Sequence, residues 1–553
     1  MTRQKFHQKL TKKTILKWFV TLALFLIFIY FLHTFNFYIT KTGTNLFFTH
    51  LKELFSFKSI VVINNDNVLN LWYINLNLMW ITIKSVFSGS FIGLILAFIT
   101  AYFSSLNLWK RNWWTWCIRL LIILLRSLPV LIFIMIFGSA YEGQMIAFMI
   151  FWFTSWVYLH RYFCDIFEST STQKYWMDIH QGMPRFKSFY KNIVLNNKNK
   201  FIMNSLLTLE TNIRWSSILG SIGIYGIGQL FNTYPNNIEY YGISIFYIVV
   251  VIIFFELLLI FFNKYLFVAS DINKPDINTP KSWKYNFKKL IKLTIFIIFL
   301  IIVIISFADI SKTSANTISL RIWLQNLFNW DFSGVQENPN LYLSYWKIFQ
   351  QTYIVVYVSY FLSLIYALFM SEKLYKLHFT FVFKVIVVLL KAIPVIVFFI
   401  LFNSLLNKDT AIIIAVIIIT FRSLTKQFSE VINRIDKSKV QLWKSLGYNN
   451  FYIYWNLLLP MYKKAIVSLV LFKSEGTFRN FITFGIFSNV VLYAYINEYI
   501  KNSEYEKIGP AFLPAFLIYA IFEILFLLYK REVFEKIKLF TTKSLLKISK
   551  WNR

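Results

Sequence analysis

Along the 553 residues, runs of mostly apolar residues alternate with shorter polar, basic stretches. A helix crossing a bilayer core takes roughly 20 apolar residues. The runs predict spans at 15–35, 76–103, 117–138, 144–164, 201–224 and 243–267, and a second set at 291–308, 348–370, 380–403, 408–424, 462–485 and 510–530. The expected architecture is therefore an all-α polytopic membrane protein with about 12 transmembrane helices. The first run follows the basic residues Lys9, Lys12 and Lys13, as a secretory signal would. It is long and aromatic and has no small-x-small cleavage site, so it reads as a retained anchor.

Composition removes the soluble alternatives. The chain is 57% hydrophobic and 20% aromatic, with 61 Phe and only 15% charged residues, far from the roughly 25% charged residues of soluble domains. Lys plus Arg number 57 against 25 Asp plus Glu, a formal charge of +32. Such an excess suits a nucleic-acid binder, but here the basic residues collect between the apolar runs, as in cytoplasmic loops. The 104–116 loop (Lys110, Arg111), the 165–200 segment (Lys174, Arg185, Lys187, Lys191, Lys198, Lys200), the 268–292 linker, the 422–464 segment and both termini are basic; 229–242, with Glu239, is not. In a twelve-span arrangement every basic segment falls on one side. The expectation is a multi-pass protein of the cell (plasma) membrane with both termini cytoplasmic, its partner the lipid bilayer and not nucleic acid. The two cysteines, Cys117 and Cys164, lie in or beside apolar runs and form no disulfide framework.

The chain also repeats itself. Leu-Arg-Ser-Leu-Pro at 125–129 recurs as Leu-Lys-Ala-Ile-Pro at 390–394, an offset of 265. At the same offset Gly182 matches Gly447, Glu210 and Arg214 match Glu475 and Arg479, and Gly220 matches Gly485. The preceding span aligns at 270, Ala97 with Ala367. Six spans per copy is an even number, so the copies share one orientation: two parallel six-helix repeats about an axis along the membrane normal. The expected domains are 1–40 (tail and first span), 75–267 (first half), 268–292 (linker), 293–346 (seventh span and outer loop), 347–530 (second half) and 531–553 (basic tail).

In each copy the longest cytoplasmic loop follows the fourth span. The second contains Gly447 and continues to Leu459-Pro460, 12 and 13 residues later. This resembles the coupling loop of ABC importer permeases, in which Glu-Ala-Ala, three residues, Gly and nine residues precede Ile-x-Leu-Pro. Trp176-Met177-Asp178 and Gln441-Leu442-Trp443 stand where that family has Glu-Ala-Ala, and Val194-Leu195 replaces Leu-Pro in the first copy. The stretch Leu209-Glu-Thr-Asn-Ile-Arg-Trp-Ser-Ser-Ile-Leu-Gly220, with Gly223, Gly226 and Gly228 after it, is similar to the phosphonate-type branch, as is Leu-Arg-Ser-Leu-Pro. The resemblance covers 75–267 and, more weakly, 345–530. It implies a type I ABC importer permease-like fold, coupling loops carrying Trp176, Asp178, Gly182, Gln441, Trp443, Gly447 and Pro460, two separate ATP-binding subunits and an extracytoplasmic solute-binding protein or lipoprotein. The nearest picture is the fused two-half permease of wall-less bacteria, linked to uptake of phosphonate or thiamine pyrophosphate.

An ionisable residue inside a span costs roughly 2.5–3.5 kcal/mol on insertion scales, so each needs a reason. Arg126, Lys391, Arg214 and Arg479 lie within spans, as do Glu210, Glu475, Glu256 and Glu523. Glu210 and Arg214, like Glu475 and Arg479, are four apart and share a helix face. Two readings stand side by side. Either these are structural pairs, or Arg126 and Lys391, beside Pro129 and Pro394 and with no acid nearby in sequence, line the pathway and attract an anion, for which guanidinium suits phosphate oxygens. Asn204, Thr208 and Asn212 extend a polar face that reads as pathway lining. The Gly220–Gly228 run reads as an outer gate or as a tight turn.

No Gly-x4-Gly-Lys-Ser/Thr occurs, so this chain holds no Walker loop; ATP and Mg would come through partner subunits. The six histidines show no metal-ligand spacing, and no catalytic pair is identifiable. The expected function is a permease subunit, not an enzyme, carrying a small anionic solute (phosphonate, phosphate ester or thiamine pyrophosphate). The alternative is an ion-gradient-driven carrier with six-plus-six topology. That alternative predicts its long loop between spans six and seven, whereas the longest internal loops here follow spans four and ten.

Overall fold

The computed structural model describes residues 12–64, 67–109, 113–128, 130–234, 237–262, 283–485, 487 and 491–530. Pro129, Lys110, Arg111, most of the expected linker and the 531–553 tail lie outside them, as does the side chain of Glu523.

The chain opens with α1 (Lys12–His33) and α2 (Lys41–Leu54), then a small antiparallel hairpin of β1 (Ile60–Asn64) and β2 (Asn67–Asn70). The Asn70 side chain accepts from the Trp72 amide and so starts α3 (Leu71–Ser104), answering a helix-end donor that would otherwise go unbonded. There follow α4 (Trp113–Ser127), α5 (Val130–Ala140), α6 (Gln144–Ser169), α7 (Gln173–His180), α8 (Arg185–Phe189), α9 (Leu195–Ser221), α10 (Gln229–Thr233) and α11 (Tyr241–Phe261). The second run comprises α12 (Trp283–Ile310), α13 (Thr317–Phe328), α14 (Ser333–Glu337), α15 (Asn340–Phe369), α16 (Leu377–Ala392), α17 (Val395–Leu405), α18 (Lys408–Ile432), α19 (Lys437–Ser445), α20 (Asn450–Tyr452), α21 (Leu459–Phe484), α22 (Val491–Lys501), α23 (Ile508–Ala511) and α24 (Leu513–Lys530). The chain is a helical polytopic membrane protein.

Among the described residues six helices are long and apolar enough to cross a membrane, or eight when each of two bent pairs counts as one span. The figure of twelve thus exceeds what length and hydropathy alone support. The bent pairs change the picture most. The runs at 117–138 and 380–403, read as straight spans, are each broken: α4 meets α5 at 80° and α16 meets α17 at 85°. Pro394 has no N–H to continue the helix and crowds the residue before it out of the α region, so the chain turns there. The first break falls between Ser127 and Val130, at the same offset of 265 from Ala392 and Val395.

The chain divides into two compact units. One comprises 1–47, 340–390 and 398–493; the other 48–339, 391–397 and 494–553. In the second of these, α3 and α6 pack closely because small residues recur every fourth position: Ser85, Gly89, Gly93, Ala97 and Ala101 are all buried. A Cβ on Gly89 or Gly93 would stand 2.7 Å from α6 backbone oxygens, the small-xxx-small condition for close helix approach in membranes. In the other unit Ser359, Ser363 and Ala367 occupy the corresponding positions of α15, and the two hydroxyls donate to the Ile417 and Phe421 carbonyls at 3.2 and 3.1 Å. Helix α1 lies along α15, with Phe31 edge-on to Trp346 and Tyr353 and the Tyr353 hydroxyl donating to the Leu24 carbonyl. Helix α12 packs on α3 through Phe299 against Phe87 and Phe91 and through Ser306, which donates to Ser88 at 2.8 Å.

Candidate functional site

The two long loop segments at 173–194 and 437–458 fold alike. Helix α7 ends at Gly182, whose φ is +87°, and α19 ends at Gly447, whose φ is +84°. Only glycine takes that left-handed conformation without a Cβ penalty. In the first, the Gly182 amide donates to Ile179 and the Met183 amide to the Asp178 carbonyl, both at 3.0 Å; in the second, Gly447 donates to Lys444 at 3.0 Å and Tyr448 to Trp443 at 3.2 Å. Both are Schellman caps that satisfy the last helix carbonyls. After each turn comes another short helix, α8 or α20, then a π turn (Tyr190–Val194, Ile453–Leu458) leading into α9 or α21. Pro460 sits in the first turn of α21, where its missing N–H is tolerated. The π turn recurs before Leu195, so proline is not its sole cause.

Each element is pinned by one face. Tyr175 and Phe189 are buried in the first and Val440 and Tyr454 in the second, pairs that again lie 265 apart. The Tyr454 hydroxyl donates to the Leu364 carbonyl at 2.6 Å, and the Trp176 indole donates to the Asn107 carbonyl at 3.3 Å. Asp178 accepts from the Asn192 amide at 2.8 Å and pairs with Lys191 at 3.4 Å; the amide first, and the ammonium after it, hold its carboxyl below the usual range. Trp443 is half-buried and Gln441 is exposed. The opposite faces carry exposed apolar side chains at matching positions: Met177 with Leu442 and Phe186 with Phe451, all 58–61% exposed.

The glycine run ends α9 in a tight reversal. Gly223 has φ +102°, and the Gly223 and Ile224 amides donate to Gly220 and Leu219, a third cap of the same kind. A Cβ on Gly220 would stand 2.4 Å from the Gly228 backbone, one on Gly228 2.2 Å from the Ser217 oxygen, and one on Gly226 2.8 Å from the Thr82 hydroxyl. These glycines let the returning chain lie directly on the helix end.

Four charges meet in one unit. Lys391, at the end of α16, pairs with Glu210 of α9 at 2.8 Å and with Glu256 of α11. Arg214, one turn along α9, pairs with Glu210 at 3.2 Å and reaches the Lys391 carbonyl at 3.4 Å. Lys391, with no acid near it in sequence, thus has two carboxylates 181 and 135 residues away beside it; sequence spacing held no signal for this. In the other unit Arg479 pairs with Glu475 at 2.9 Å, as the i,i+4 spacing predicts. Arg126 is buried near the end of α4, and Pro394 is buried at the α16–α17 break. Asn212 does not present a polar face to a pathway: its amide donates to Ser90 and Ser155, both at 2.8 Å, tying α9 to α3 and α6. A further polar knot escaped the sequence reading: the His160 ring lies 2.9 Å from the Thr100 hydroxyl, and Ser104 lies 3.0 Å from the Cys164 thiol.

Residues 344–534 match the family model described as binding-protein-dependent transport system inner membrane component. The matched half is the one that keeps Leu459-Pro460, not the one whose glycine-rich stretch carries the stronger phosphonate-type resemblance. The chain is 26% identical to the ABC transport system permease protein p69 of Mycoplasma genitalium, across 95% of this chain and 97% of that protein. It is 23% identical to the protein of the same name from Mycoplasma pneumoniae, across 80% and 83%. No solved structure matches the chain.

Proposed function

We propose that this chain is the membrane-spanning permease subunit of an ABC-type importer, with both halves of the pathway on one polypeptide. The observation that carries this reading is the duplicated loop element: a short helix, a left-handed glycine cap and a second short helix, displaying Met177 with Phe186 in one copy and Leu442 with Phe451 in the other. Each element is stiff on its inner face and apolar on its outer face, which suits insertion into a groove of a second protein. Similarity to two permeases along most of the chain supports it. Two ATP-binding subunits would bind beneath these elements and supply ATP and Mg, and an external solute-binding lipoprotein would deliver the cargo. The Leu-Arg-Ser-Leu-Pro and Leu209–Gly228 stretches support a small anionic solute: a phosphonate, a phosphate ester or thiamine pyrophosphate.

The test is to replace the displayed apolar residues. Phe186→Asp with Phe451→Asp should leave membrane yield unchanged, because both side chains are exposed, while abolishing retention of an ATP-binding partner on mild-detergent purification. Full retention by the double variant would overturn the docking role.

A further inference from the structure

The two duplicated loop elements share a frame but not a surface. Each places an exposed phenylalanine at the same point, Phe186 in α8 and Phe451 in α20, 265 residues apart. Around it the limb after the glycine differs. Residues 183–191 read Met-Pro-Arg-Phe-Lys-Ser-Phe-Tyr-Lys, whereas 448–456 read Tyr-Asn-Asn-Phe-Tyr-Ile-Tyr-Trp-Asn. The cations of the first limb, Arg185, Lys187 and Lys191, are all exposed, and Asn450, Tyr452 and Asn456 stand in their places. Neither limb contains an acid. Tyr448 and Tyr452, 42% and 43% exposed, stack with ring centroids 4.9 Å apart and planes 12° apart. Leu446, 63% exposed, stands where the first element has Gln181. The second surface is thus a preformed aromatic strip, and the first a phenylalanine flanked by positive charge.

We propose that the two elements hold their ATP-binding subunits by different forces: the second by aromatic and apolar contact, the first by charge against an acidic rim. The inference rests on the importer reading above and adds the chemistry of the partner surface. The partner's groove needs an apolar centre for Phe186 or Phe451 and carboxylates at its edge. Those carboxylates accept from Lys187 in one copy and from the Tyr452 hydroxyl in the other. Aromatic side chains dominate the energy of buried interface centres, where lysine is depleted. A pair already stacked in the free chain also loses little freedom on docking. Rim charges chiefly steer the encounter, and salt screens them. The second element is therefore the permanent anchor, and the first is the contact that salt releases.

The experiment uses the full chain, purified in mild detergent with the ATP-binding protein it retains, and counts copies per chain by native mass spectrometry as salt rises. At about 0.1 M salt, where charges act over about 10 Å, two copies should be bound; at about 1 M, where they act over about 3 Å, one should remain. Lys187→Tyr should keep both copies bound at high salt, and Tyr452→Lys should let both go. At high salt Phe186→Asp should retain one copy and Phe451→Asp none. Arg185→Glu with Lys187→Glu should leave one copy even at low salt. All of these side chains are exposed, so membrane yield should not change. Departure of both wild-type copies at the same salt concentration, or retention of both by the Arg185→Glu, Lys187→Glu variant, overturns the proposal. Absence of any ATP-binding protein at low salt removes the importer reading itself.

Discussion

Gly447 offers a clean perturbation because its conformation and its surroundings separate. Its φ is +84°, and a Cβ there would meet nothing within 4 Å. Gly447→Ala therefore adds no clash, only the left-handed penalty of an L-residue, about 1–2 kcal/mol. That is roughly a 5- to 30-fold loss in the population of the closed turn. Gly447→Asn should recover part of the loss, since asparagine tolerates this region. Gly447→Pro is worse on two counts: its φ is fixed near −65°, and it lacks the N–H that donates to Lys444. Hydrogen–deuterium exchange reads the turn directly: amides of 446–448 should exchange faster in the order wild type, Asn, Ala, Pro, with the protection of α18 unchanged. Partner retention and ATP-driven uptake should fall in the same order. Gly182→Pro should impair uptake less, because the first element has lost its Leu-Pro. Unchanged exchange in the Pro variant would refute the cap, and equal tolerance of Gly182→Pro and Gly447→Pro in uptake would refute its role in coupling.

Gly228→Ala should lower the melting temperature and the yield, because its Cβ would stand 2.2 Å from the Ser217 oxygen and overpacking costs about 1–3 kcal/mol; Gly138→Ala, with nothing within 4 Å, should be neutral or stabilising in the same thermal scan. Lys391→Met removes a cation paired with two buried carboxylates and should destabilise the chain by about 3–5 kcal/mol, with partial recovery on adding Glu256→Gln. Asn212→Ala removes the bonds to Ser90 and Ser155 and should cost about 1–3 kcal/mol, read as a lower melting temperature. Asp178 is held below the usual carboxylate range, so the stability it contributes is present above its unfolded value of about 3.9 and fades as pH falls through its lower folded value. Amide exchange across 188–194 should therefore rise steeply only at strongly acid pH, and Asp178→Asn should abolish that step.

The helices and the duplication were legible because apolar run length and a fixed offset both survive in a single sequence. The 265-residue offset places Gly182 with Gly447 and the two helix breaks with each other, and the left-handed caps give the glycine match its physical reason. The breaks themselves were hidden, since a run such as 380–403 is mostly apolar on both sides of Pro394 and hydropathy does not register an 85° turn there. Pairing across long sequence separations was hidden too: Glu475 with Arg479 follows from helical spacing, whereas Lys391 with Glu210 and Glu256 depends on where three helices pack. Asn212 was misread for the same reason. A polar face on a helix looks identical in sequence whether it meets a pathway or, as here, the hydroxyls of Ser90 and Ser155.

Purification of the tagged chain in mild detergent, followed by identification of everything that accompanies it, tests the central claim most directly. The account predicts an ATP-binding protein at about two copies per chain, lost when Phe186 and Phe451 are both replaced by Asp. A chain that purifies alone and moves solute in vesicles on an ion gradient without ATP would contradict it.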